Sequence, residues 1–351
     1  MKICGKEVGP GERAYFGLKV AKNLDGSVLT IPLHVVRGEQ EGPVLGLSSG
    51  IHGQEYYHNR IIRRMVTEVE PSELKGTILA IPVANPPAFA HDTRNTPMPP
   101  EETVDFANLN RVFPGRRTVP LFGSMEPDDI SLTMKMAGII TDEFIQRCDY
   151  ILDFHGHFQH GALKKILFNL DPASQELARL FGLGILHDPP EGRPSAGAFG
   201  PMTWYAGTQG KTCIVPEIGG GGHGEEFERT CEEMGVRGTR NIMAHLEMTD
   251  DEVVLPERQF YFKHAPHIRA KNAGYLVSNM EAEDVGIGRP TREVKKGEVL
   301  ATVYDPYTLE ELEQLKAPTE GLLYMSLVSG LIEAQGYGIA VADYRDSKWI
   351  E

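Results

Sequence analysis

The sequence predicts a mixed α/β fold with helices flanking the sheet, followed by a small all-β unit, and three observations carry that prediction. Apolar strand-like runs alternate with helix-period runs from about residue 40 to residue 248, the pattern of an α/β sheet with covered faces. After Asp250 the texture changes to short β runs punctuated by glycine. At 351 residues the chain has room for two domains of about 150 residues each. The α/β domain is therefore assigned to residues 1–250, with an N-terminal β hairpin region over 1–40, and the all-β domain to residues 256–345.

Each element rests on its own pattern. Residues 14–37 alternate in strand fashion around Asn23-Leu24-Asp25-Gly26, where the Asp-Gly pair supplies hairpin turn chemistry. Residues 44–48 form a short apolar strand, and Tyr57, Ile61, Ile62, Met65, Val66 and Val69 recur at helical spacing. A second apolar strand covers 77–83 after Pro71. From Asn85 to about Gly123 the chain is rich in Pro, Asn, Gly and Arg with little periodicity. A loop of that length in a compact domain usually borders a site. A helix is expected near 130–147, a strand over 150–154, a helix near 174–181, a strand over 212–218 and a helix within 225–247.

The C-terminal β runs lie at 274–277, 294–300, 317–321 and 330–342. The phrases VKKGEVLATV and APTEGLLY resemble the two halves of a barrel-sandwich, lipoyl-like domain. A carrier of that kind needs an attachment lysine on the hairpin between the halves, and the segment from Tyr304 to Glu311 offers none. Met134-Lys135-Met136 mimics a biotin-site tripeptide but sits in an expected helix of the other domain, and we read it as coincidence.

Composition and charge exclude several function classes. Hydrophobic residues make up 41% and charged residues 24% of the chain, an ordinary globular balance. Lys and Arg total 35 against 49 Asp and Glu, a net charge of −14, and a field of that sign repels phosphate backbones and anionic lipid surfaces. Neither nucleic acid nor a membrane is the expected partner. No run approaches the roughly 18 apolar residues of a spanning helix, and the start lacks an apolar stretch of signal-peptide length, so a cytoplasmic location is expected. Cys4, Cys148, Cys213 and Cys231 lie far apart without a Cys-x-x-Cys pair, which favours buried free thiols over disulfides or a thiolate metal site.

The sharpest chemical signal follows the first α/β strand: Ser48-Ser49-Gly50-Ile51-His52-Gly53-Gln54-Glu55. An imidazole and a carboxylate at the carboxyl end of a strand, on the turn into a helix, stand where open α/β sheets build sites. Both are zinc ligands by type, and three residues apart on a glycine turn they can converge on one ion. Taken alone, His-x-x-Glu arises often by chance, and a polar helix N-terminus explains it as well. Tyr150-Ile151-Leu152-Asp153-Phe154-His155-Gly156-His157 supplies a third candidate at another strand end, with Asp153, His155 and His157 on one side under the period of two. His155 is the preferred third ligand, Asp153 is placed to orient it, and His157 and His160 compete for the ligand role or contact substrate. Glu217 ends the apolar run 212–218, where a carboxylate beside an activated water can act as general base. The glycines behind it formally match G-x-G-x-x-G, but no strand ending in an acid follows about 20 residues on, so a dinucleotide site is disfavoured. Arg94 and Asn108-Leu109-Asn110-Arg111 offer guanidinium and amide groups suited to a carboxylate.

In that order, His52-Gly53-Gln54-Glu55, Asn108-Leu109-Asn110-Arg111, Asp153-Phe154-His155 and Glu217 with its glycines resemble the succinylglutamate desuccinylase/aspartoacylase family of the zinc carboxypeptidase-like clan. The resemblance covers most of the chain and implies a zinc-carboxypeptidase-like mixed sheet. It implies that His52, Glu55 and His155 hold one Zn2+ per chain. Glu217 would be general base and acid, and Arg94 would polarise the scissile carbonyl. Asn110, Arg111 and His157 would meet the substrate. Asn108 stands where aspartoacylase-like members have Asp, and Tyr56-Tyr57-His58 follows the first implied ligands where other members are often acidic or small. The implied activity is hydrolysis of the amide bond of a small N-acyl amino acid in a homo-oligomeric enzyme, with a peptide-trimming metallocarboxypeptidase as the alternative.

Overall fold

In the hairpin at the N-terminus the Asp25-Gly26 turn forms as its chemistry predicts. Asp25 Oδ1 accepts from the Ser27 amide at 2.9 Å and from the Ser27 hydroxyl at 2.6 Å, and the turn joins strands Arg13–Lys22 and Val28–Arg37 in antiparallel register. The structure, a computed structural model, describes residues 1–97, 107–115, 130–156, 160–161, 164–168, 171–188, 200–219, 224–279, 292–327 and 329–351.

These two strands form one edge of a ten-stranded mixed sheet. From the opposite edge its order is Ser347–Ile350, Gln259–Phe262, Ile185–His187, Lys164–Phe168, Thr212–Ile218, Tyr150–Asp153, Gln40–Ser48, Lys75–Ile81, Val28–Arg37 and Arg13–Lys22. Gln40–Ser48, Tyr150–Asp153 and Thr212–Ile218 are neighbours and run parallel, so their carboxyl ends meet at one edge of the sheet.

Side-chain alternation gives the sheet two apolar faces. Ile151 packs with Met134, Ala137 and Ile140 of helix α3 (Leu132–Glu143) and with Met202 and Ala206 of α5 (Met202–Thr208). Leu152, the next residue, packs on the other face with Ile61, Ile62 and Met65 of α1 (Asn59–Glu68), Leu177 of α4 (Pro172–Phe181) and Ile242 of α6 (Glu225–His245). Each of the fully buried Leu, Ile and Met side chains contributes about 1.5–3 kcal/mol. Among the described residues no helix is long and apolar enough to cross a membrane.

The expected unpatterned stretch from Asn85 is interrupted. Pro86 and Pro87 start helix α2 (Pro86–Ala90), capped by Asn85, and Leu109–Arg111 forms a 3-10 turn. Strands Lys164–Phe168 and Ile185–His187 and helix α5 are further elements that periodicity did not signal.

Residues 267–343 carry two more sheets. One orders His267–Arg269, Tyr337–Asp343, Gly321–Leu327 and Glu293–Val294, and the other Glu311–Lys316, Val299–Tyr304, Gly274–Ser278 and Ser329–Ile332. The run expected over 317–321 is a turn leading into Gly321–Leu327, and the run over 330–342 divides into two strands. Gln259–Phe262, inside the segment assigned to the all-β domain, extends the central sheet instead, as does Ser347–Ile350 beyond it. Ile185, Phe260 and Phe262 share an apolar cluster with Leu322, Tyr324 and Ala340, which joins that edge of the central sheet to the C-terminal strands.

Candidate active site

The three parallel strand ends carry the residues singled out above. His52 and Glu55 lie on the turn between strand Gln40–Ser48 and α1, and the turn is held tightly. Its Gln54 amide donates to the Thr93 carbonyl at 3.2 Å, and Asn85 Nδ2 donates to the Ile51 carbonyl at 3.2 Å. Gly53 is required by close approach, since a Cβ there would stand 2.0 Å from the Ala88 carbonyl carbon of α2. His155 follows strand Tyr150–Asp153 and pairs in parallel with Glu217. Its amide donates to the Pro216 carbonyl at 3.0 Å, and the Ile218 amide donates to its own carbonyl at 2.9 Å.

His52, Glu55 and His155 are all buried, and one ligand atom from each lies within 4.8 Å of the others. His52 Nδ1 is 2.8 Å from Glu55 Oε1 yet makes no hydrogen bond among the described residues, so the two atoms converge without being aligned as donor and acceptor. His155 Nδ1 is 2.9 Å from Glu55 Oε2. The other ring nitrogen, Nε2, is 3.0 Å from Asp153 Oδ2, and Asp153 Oδ1 accepts from the Ser48 hydroxyl at 2.6 Å. Asp153 thus fixes the proton on Nε2 and turns Nδ1 into the cluster, the carboxylate–histidine arrangement that orients a metal ligand. Two imidazoles and a carboxylate converging on one small space are the donor types of a three-ligand zinc site.

Burial sets the electrostatics of the cluster. It pushes the His52 imidazole to a lower pKa. For Glu55, burial would raise the carboxyl, but the adjoining His155 and His52 imidazoles outweigh it and hold the group well below the usual range. For His155, burial would lower the imidazole, and the Asp153 and Glu55 carboxylates outweigh it, raising the pKa well above the ordinary value.

Arg94 joins the cluster: its Nη1 lies 2.9 Å from Glu55 Oε1 and its side chain is 40% exposed. Glu217 is half-buried, and its Oε2 is buried with no hydrogen-bond partner among the described residues. Asn110 Oδ1 accepts from the Met202 amide at 3.0 Å, and Arg111 is exposed with Nη1 2.7 Å from the Asn110 carbonyl. The first of these contacts ties the Asn110-Arg111 turn to the start of α5. His157 lies outside the described residues, and of His160 only the backbone is described. Sequence reasoning gave no role to Asn85, Ser48 or His58. Asn85 is legible in retrospect as an Asn before a Pro-Pro helix start, whereas Ser48 and His58 leave no local signal.

The fold has known relatives. The pattern of the succinylglutamate desuccinylase/aspartoacylase catalytic domain matches residues 41–246. The chain is 28% identical over 296 residues to an N-alpha-acetyl-L-2,4-diaminobutyric acid deacetylase of Halomonas elongata, covering 80% of this chain and 75% of that protein. Among solved structures, the ectoine utilization protein EutE of Ruegeria pomeroyi superposes with a TM-score of 0.75 at 22% identity, over 94% of both chains. A succinylglutamate desuccinylase/aspartoacylase of Rhodobacter sphaeroides gives a TM-score of 0.75 at 20% identity, over 98% of this chain and 100% of that one. With the catalytic-domain pattern spanning more than half of its length, the chain belongs to the succinylglutamate desuccinylase/aspartoacylase family.

Proposed function

We propose that this protein hydrolyses the amide bond of a small N-acyl amino acid or related carboxylate, with one zinc ion per chain held by His52, Glu55 and His155. The observation that carries the reading is the convergence of those three buried side chains, with Glu217 paired to His155 in the sheet and its Oε2 buried without a hydrogen-bond partner among the described residues. Zinc bound there supplies Lewis acidity toward the scissile carbonyl and toward water. Glu217 takes a proton from the attacking water and returns it to the leaving nitrogen. The Arg94 guanidinium, already at the cluster, donates to the carbonyl oxygen as negative charge develops on it. Asn110, whose oxygen is engaged by the Met202 amide, offers its amide hydrogens to a substrate carboxylate, with Arg111 and His157 as the accompanying contacts. The enzyme is taken as a cytoplasmic homo-oligomer acting on a small molecule.

The Halomonas relative is named for removing an acetyl group from an amino acid, which makes acetylated amino acids the first substrates to test. The decisive experiment is a hydrolysis screen of the zinc-loaded protein against acetyl-, succinyl- and formyl-amino acids, with peptides bearing free C-termini alongside. Release of amine from an N-acyl amino acid is the expected result. Cleavage of the peptides alone would replace this reading with a metallocarboxypeptidase.

A further inference from the structure

His58 has no part in the reaction set out above, yet it is buried against two elements of the site. It stands immediately before α1 and gives that helix no side-chain cap. Its ring instead spans two main-chain carbonyls far apart in sequence. Nδ1 is 3.2 Å from the Glu55 oxygen, and Nε2 is 2.5 Å from the Ile218 oxygen. A neutral imidazole carries a single N–H, and the shorter contact takes it, so Nε2 donates to Ile218.

Ile218 follows Glu217, and the peptides around Glu217 are anchored on both sides. The Pro216 carbonyl and the Ile218 amide are bonded to His155, and the Ile218 carbonyl is bonded to His58 from the side of the ligand turn. Glu217 Oε2 has no donor of its own among the described residues, so the aim of this carboxylate depends on the main chain that carries it. Gly156 leaves room for the contact. A Cβ there would lie 2.9 Å from His58 Cε1 and 3.1 Å from the Ile218 oxygen.

We propose that His58 is a positioning residue for Glu217: the bond from Nε2 to the Ile218 carbonyl fixes the peptide after the general base and holds it against the turn that carries His52 and Glu55. This rests on Glu217 being the general base of the hydrolysis proposed above. A misplacement of about 1 Å costs a catalytic group about a hundredfold in rate, which sets the scale of the effect.

The test compares the zinc-loaded full chain with H58Q, whose amide nitrogen falls where Nε2 stands, and H58N, whose amide is too short to reach Ile218. For H58N the expected result is a fall in kcat of about 10- to 100-fold, with KM and zinc stoichiometry close to wild type and faster hydrogen exchange at the Ile218 and Gly219 amides. H58Q restores most of the rate and the protection. A histidine that only fills the core gives a different pattern, in which both amides lose activity and stability alike. Wild-type kcat in H58N, or equal losses in H58N and H58Q, overturns the proposal. A wild-type protein that hydrolyses no amide substrate would instead overturn the reading of Glu217. In that case the exchange comparison still judges the tether, and unchanged protection in H58N refutes it.

Discussion

Asp153 offers the sharpest test of the metal site proposed for the cluster. It is 1% exposed and joins two strand ends, accepting from the Ser48 hydroxyl at 2.6 Å and from His155 Nε2 at 3.0 Å. In Asp153→Ala, His155 loses the acceptor that fixes its tautomer and ring orientation. Removing such an outer partner typically weakens metal binding 10- to 100-fold, or by about 1.4–2.7 kcal/mol. The upper end is expected, because nothing else on Asp153 replaces the contact. The buried Ser48 hydroxyl also loses its partner, at a further cost to folding of about 1–3 kcal/mol. Asp153→Asn behaves differently. Its carbonyl oxygen still accepts from Nε2 while its amide faces Ser48, whose hydroxyl can rotate to accept, so only the charge is lost and binding weakens about tenfold. Competition against a chromophoric chelator measures the zinc affinity, and urea unfolding measures the stability. Zinc binding by Asp153→Ala as tight as wild type, or a larger loss in Asn than in Ala, would refute the reasoning.

Three further outcomes are expected. Glu217→Gln keeps its zinc but loses about 10²- to 10⁴-fold in rate, measured by steady-state kinetics beside metal analysis; full activity with zinc bound would remove Glu217 from the mechanism. Arg94→Ala lowers kcat by about 10²- to 10³-fold without weakening zinc binding, and a loss confined to KM would make Arg94 a binding group only. In the C-terminal sheets, hydrogen bonds from Arg345 hold the Asp343 carboxyl down at about 2. A depressed folded-state pKa gives a contribution that is complete above about pH 4 and is lost as the pH falls through about 2. With Arg345 largely exposed, Asp343→Asn costs about 1 kcal/mol at pH 7, and urea midpoints for the two proteins should converge toward pH 2. A gap that is the same at both pH values would exclude the ion pair as the cause.

Much of the fold is legible because its signals are local. Asp25-Gly26 announces its hairpin, Ile61, Ile62 and Met65 announce the buried stripe of α1, and the apolar runs at 150–153 and 212–218 announce buried parallel strands. What escaped has physical reasons. Ile185–His187 is three residues long, too short for a period to show. Lys164–Phe168 begins with two lysines and runs antiparallel to Thr212–Ile218, a reversal in the sheet that no local pattern encodes. Gln259–Phe262 follows the change of texture after Asp250 and so reads as part of the appended β segment, although its pairing with Ile185–His187 places it in the central sheet.

The sequence by itself determined the inventory of the candidate site. His52 and Glu55 on one glycine turn, His155 after Asp153, and Glu217 at a strand end are all readable, because each motif fixes a residue type at the end of a locally patterned element. Only the tertiary structure decided which of these meet. Glu55 faces His155 across 100 residues of chain, and His58 reaches Ile218 across 160. Arg94, from a segment without period, closes on Glu55 because the Thr93 carbonyl is bound to the turn that carries His52 and Glu55. Periodicity reports which face of an element is buried. The partner of each strand, its register, and the side chains brought together at its end follow from how the crossovers pack, and that is a property of the whole chain.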